Sequence, residues 1–152
     1  MRQELRAGEQ FSEVTTEIPP LDHKFDSTTN DSDKSWTVPN NEIWKINWAH
    51  IIFTSTATVG DRSVEIEITD ADSNDVLDVH PGSVQAASNT YHYVYLQGIY
   101  RETSFTLNVM QVPIPKDFYL QPGWTIRFYD SAAIDAAADD MTVSFQFKKY
   151  TI

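Results

Sequence analysis

After residue 35 the hydrophobic positions recur with a period of two rather than 3.6. Val64, Ile66 and Ile68 alternate with Glu65 and Glu67, the pattern of a strand with one face in a core and one in water. Tyr91, Tyr93 and Tyr95 alternate in the same way with His92, Val94 and Leu96. Residues 42–55 form a long run of β-branched and aromatic side chains, with Ile43, Trp44, Ile46, Trp48, Ile51, Ile52 and Phe53. Shorter strands are expected at 36–38, 76–79, 105–109, 118–120 and 126–129, and a last one over 141–147. Turn chemistry separates them: Pro39-Asn40-Asn41, Gly60-Asp61, the acidic stretch 70–74, Pro81-Gly82, the break 113–115 and Pro122-Gly123. About eight strands without βα alternation predict an all-β antiparallel β-sandwich, and the long crossovers favour a jelly roll. An immunoglobulin-like sandwich satisfies the same pattern. In residues 130–140 an Asp-Ser start followed by alanines predicts an N-cap and one or two helical turns on a loop.

Residues 1–34 read differently. They hold neither period, contain Pro19-Pro20 and end in the polar run 26–34 (DSTTNDSDK). Apolar residues come singly, at Leu5, Phe11, Val14, Ile18, Leu21 and Phe25. The expectation is an extended N-terminal arm over 1–34 and a sandwich domain over 35–152. Fully extended, such an arm reaches ~110 Å, enough to cross a neighbouring subunit. Phe11, Val14, Ile18, Leu21 and Phe25 are its partner-binding anchors, with backbone pairing to a neighbour's sheet edge as the means of holding it.

Composition narrows the function. A chain of 152 residues fits one domain with a real core. It has no cysteine, which excludes disulfides, thiolate metal sites and a thiol nucleophile. No segment approaches the ~20 apolar residues of a membrane span, and the N-terminus lacks the apolar stretch of a secretory signal. The expectation is a chain made in the cytoplasm with no membrane partner. The net charge is −11, from 11 basic and 22 acidic residues, with one adjacent basic pair at Lys148-Lys149. Duplex binding needs a clustered basic surface, so no nucleic-acid partner is expected.

The candidate chemistry is sparse. Asp70, Asp72, Asn74 and Asp78 offer oxygen ligands at alternating positions. A calcium loop of the EF-hand type needs Gly at its sixth position and Glu at its twelfth, where this sequence has Asp75 and Pro81. A polar Asx turn accounts for the stretch. Asp130, Asp135, Asp139 and Asp140 form a second acidic group, with Asp130 read as a helix cap. His23, His50, His80 and His92 show no zinc spacing, and no nucleophile elbow or phosphate-binding glycine loop is present. The chain therefore reads as not an enzyme, with no catalytic, cofactor or metal residue assigned. The competing chemistry is sugar stacking on Tyr91, Tyr93 and Tyr95, or on Trp44 and Trp48, which share one parity; packing of these rings in a core or an interface is the favoured reading.

Several stretches carry a resemblance: 54–62 (TSTATVGDR), 85–88 (QAAS), 126–141 (IRFYDSAAIDAAADDM), the opening 36–39 (WTVP) before 43–46 (IWKI), and the turn 120–123 (LQPG). In these the chain, over roughly 36–147, resembles small jelly-roll virion structural proteins of tailed bacteriophages. The resemblance implies a β-sandwich without catalytic activity. The function expected on this basis is that of a capsid decoration or cement protein on the outer capsid surface. Its expected partners are the major capsid protein and its own copies, as a homotrimer. The alternatives are a neck or tail accessory virion protein, or a carbohydrate-binding module.

Overall fold

A computed structural model describes residues 18–152. The fold is all-β, with two sheets packed as a sandwich and ten strands among the described residues. They are β1 (Leu21–Asp26), β2 (Asp33–Thr37), β3 (Glu42–Thr54), β4 (Val64–Thr69), β5 (Asp75–Val79), β6 (Thr90–Gln97), β7 (Val109–Ile114), β8 (Tyr119–Leu120), β9 (Thr125–Asp130) and β10 (Asp140–Thr151). One sheet runs β1-β10-β3-β6-β7, with β8 also paired to β3, and the other runs β2-β9-β4-β5. All pairings are antiparallel except β6 with β7. With β7 and β8 set aside, the two layers are β1-β10-β3-β6 and β2-β9-β4-β5, the jelly-roll order that the patterning favours.

The inward faces meet in an aromatic core. Trp36 sets its ring edge against Phe145 and Phe128, at centroid distances of 5.1 and 5.9 Å, and so joins the two sheets. Trp44 stacks on Phe147 at 4.2 Å. Tyr93 and Tyr95 are fully buried. The Tyr95 hydroxyl crosses the core to donate to the Val64 carbonyl at 2.6 Å, and the Tyr93 hydroxyl donates to Gln85 at 3.1 Å. Burial pushes both phenol pKa values up, so both stay neutral donors.

Three expectations need correction. The arm does not extend to residue 34: β1 pairs along β10 from Leu21↔Lys148 to Asp26↔Val143, and the boundary at 35 falls inside β2. Residues 21–26 thus do form a sheet edge, but with their own chain. The strand was hidden because it alternates backwards, with Leu21, His23 and Phe25 pointing outward and Asp22, Lys24 and Asp26 on the core side. Residues 105–108 are a turn, with Leu107 and Asn108 left-handed at φ 50° and 64°; the strand begins at Val109 and runs through Pro113. Proline is accommodated there because β7 is an edge. The alanine-rich loop 131–139 holds no helix, only two isolated turns, one in which Ala133 donates to the Asp130 carbonyl and one in which Ala138 and Asp139 donate to that of Asp135. Asp130 does cap its start, accepting from Ala132 at 3.2 Å and from Ser63 at 2.8 Å.

At one end of the sandwich lies a buried polar knot. Arg62 donates to Asp139 at 3.0 Å and to the carbonyls of Thr58 and Gly60. Backbone bonds join Arg62 to Gln85 in both directions, and the Gln85 amide donates to the carbonyls of Phe53 and Asn89. Thr56 and Thr58 donate to Asp135, which holds that carboxyl's pKa low. Segments 54–62, 85–88 and 126–141, which carried the resemblance, converge here. What they share is a fold-closing network rather than a reactive site.

Candidate functional site

The two outer faces of the sandwich differ in kind. On the four-stranded sheet, Arg127 makes ion pairs with Asp33 (2.5 Å) and Glu67 (3.3 Å) and lies over the Tyr129 ring at 4.2 Å. The paired carboxylates raise the Arg127 pKa further. Glu65 accepts from Ser63 and Ser131 and sits 2.9 Å from His80. These contacts outweigh burial and leave the Glu65 pKa below the usual carboxylate value. This face is charged, with its ion pairs gathered around Arg127.

The outer face of the six-stranded sheet carries no charge in its three central rows. Its register places Phe25, Ser144, His50, Val94 and Gln111 in one row across β1, β10, β3, β6 and β7. His23, Gln146, Trp48, Leu96 and Pro113 form the next, and Thr142, Ile52, His92 and Val109 a third. These rows hold no Asp, Glu, Lys or Arg. Phe25 is 60% exposed, and Trp48, Ile52, Val94 and Leu96 are half-buried by their neighbours alone.

Histidines supply the polar accent of this face. His50 Nε2 and His92 Nδ1 are 3.0 Å apart, with nearly parallel rings at an interplanar angle of 14°. Burial, and then the neighbouring imidazole, lower the His50 pKa. His23 Nε2 bonds Ser144 Oγ at 2.7 Å, and its ring lies 6.2 Å from Trp48. His50 and His92 together are one histidine pair; among the described residues no third His, Cys, Asp or Glu joins a group able to hold a metal ion.

Among the arm anchors, Ile18, Leu21 and Phe25 are exposed at 86%, 58% and 60%, on or beside β1; Phe11 and Val14 lie outside the described residues. The Asp70 loop is an Asx turn: Asp70 accepts the backbone N–H groups of Asp72 and Asn74 and the Asn74 amide, which lowers its pKa. Asp139 is committed to Arg62. Asp130 keeps one buried carboxylate oxygen without a partner, and burial raises its pKa. The tyrosine strand offers no sugar platform, since Tyr93 and Tyr95 are core. An apolar cavity lined by Ile46, Ile66, Ile68 and Leu77 holds about 20 Å³, room for little more than one water.

Trp48 is the residue that period-two reading misplaced. Trp44 and Trp48 share parity in sequence, yet Trp44 is core and Trp48 points outward. Asn47 is the extra residue of a β-bulge opposite Gln146 and Phe147, and it reverses the alternation. A usable signal was present: residues 48–53 (WAHIIF) do not alternate apolar with polar, as expected of a strand apolar on both faces. No family model matches the chain, and comparison with curated proteins finds no match.

Proposed function

We propose that this chain is a structural protein of a phage virion, a decoration or cement protein on the outer surface of the capsid. It acts by burial and multivalency rather than by chemistry. The observation that carries this reading is the contrast between the two outer faces: one charged and paired around Arg127, the other free of charged residues in its three central rows, where Phe25, Trp48, Ile52, Val94 and Leu96 lie among histidines and neutral polar side chains with no cover among the described residues. A face of this composition is a contact surface in search of protein. The titratable groups that attract attention in the sequence support the same reading, because Asp70, Asp139 and Glu65 are engaged in holding loops. The charge of −11 favours a place on the outside of a DNA-filled shell. In this reading the partners are the major capsid protein and further copies of the chain, arranged as a homotrimer.

The test is the copy number of the chain in purified particles, by quantitative mass spectrometry against the major shell protein. A ratio near that of the shell protein supports decoration. A ratio of a few per cent transfers the chain to the neck or tail, and absence from the particle overturns the reading.

A further inference from the structure

The face described above needs an occupant, and its charge says which. The chain carries −11, so two copies repel each other over most of their surface. The rows of Phe25, His23 and Thr142 are free of Asp, Glu, Lys and Arg, which makes this face a place where like-charged copies can meet without opposing carboxylates. A partner chosen by charge complementarity would instead be drawn to the acidic surface elsewhere.

Size adds a second constraint. Five strands ~4.8 Å apart and three outward rows ~6.8 Å apart give a face of roughly 480 Å². A stable interface takes about 800 Å² from each partner. The sheet face supplies a little over half. What meets this face must itself be exposed and apolar, and the β1 edge is such a strip among the described residues, with Ile18 and Leu21 exposed at 86% and 58%. A contact that joins the face of one copy to the β1 edge of the next uses two different patches. Such a contact is heterologous: it forms a ring where the rotation between copies closes, and an open filament where it does not.

We infer that the outer face of the six-stranded sheet, centred on Trp48 and Val94, is where copies of this chain bind one another, with the β1 edge of the neighbouring copy as the second half of the contact. The inference deepens the oligomeric part of the reading above and does not depend on the virion part.

The experiment is sedimentation velocity on the full-length purified chain over a range of concentrations. The wild type is expected to sediment as a multiple of the 17.4 kDa monomer. Trp48→Glu, and independently Val94→Lys, should weaken association about thirtyfold or more, the effect of losing one central contact residue. Glu67→Lys on the opposite sheet should leave association intact, and circular dichroism of each variant reports folding. A monomeric wild type overturns the inference, as does association undisturbed by both face variants. A wild type that is monomeric alone yet abundant in particles would assign the face to another chain, leaving the virion reading in place while this one fails.

Discussion

Arg62 Nε lies 3.0 Å from Asp139 Oδ2, and neither side chain has any exposure to solvent. The pair bridges two loops far apart in sequence and anchors the polar knot at one end of the jelly roll. A charge left alone there has no water to turn to. Arg62→Met should therefore cost about 3–5 kcal/mol, read from the midpoint of denaturant unfolding. A shift of less than about 1 kcal/mol would mean that the knot is solvated in solution.

His50 should give the fold a pH dependence. His50 is flanked by Ser144 on β10, by His92 and Val94 on β6 and, beyond them, by Gln111 on β7. No carboxylate in these rows faces it; Asp140 lies at the rim and Lys148 beyond the other end. Its folded pKa lies below the ordinary 6.5, so below that value the unfolded chain takes up a proton that the folded chain refuses. The contribution to stability is complete above pH 6.5 and falls as the pH drops toward the lowered folded value. His50→Gln should flatten thermal stability across that window. An equally steep profile in the variant would place the effect in other groups.

Two glycines should respond unequally to alanine. At Gly82 a Cβ would meet the Glu102 carbonyl oxygen at 1.8 Å, a backbone atom that cannot step aside. At Gly98 nothing lies within 4 Å, and only the left-handed φ of 73° resists. Gly82→Ala should destabilise by about 3 kcal/mol or more. Gly98→Ala should cost about 1–2 kcal/mol. Equal effects would show that the segment around Glu102 yields freely.

The limit between arm and domain is testable by truncation. Removing residues 1–17 leaves β1 in place and should preserve the cooperative unfolding transition while reducing attachment to particles, because Phe11 and Val14 go with it. Removing 1–34 takes away β1 and the first two residues of β2, which leaves the long strand β10 without a neighbour along Val143 to Lys148. That form should be insoluble or non-cooperative. If it folds as well as the full chain, β1 is dispensable.

These outcomes also show what the sequence could reveal. The jelly roll was legible because β4, β6 and β9 alternate cleanly and Pro or Gly marks most turns. β1 was not, because its outward residues are Leu21, His23 and Phe25 while its core-side residues are polar, a pattern that reads as spaced anchors. The outer face was half legible. The mostly apolar run 48–53 around Ile51 announced a strand with apolar residues on both sides, but one bulge at Asn47 moved Trp48 to the other face. The meeting of His50 with His92 depends on the register between β3 and β6, where His50 opposes Val94 and His92 opposes Ile52. Local pattern contains no such information.

The outer face of the six-stranded sheet should be covered when the protein is at work. Hydroxyl-radical labelling of Trp48 and Phe25 in intact particles, compared with the free Val94→Lys chain, measures that cover directly. Strong protection of both residues is expected in the particle, while Tyr129, on the opposite sheet, labels at the same rate in each. Labelling of Trp48 in particles at the rate of the free chain would contradict it.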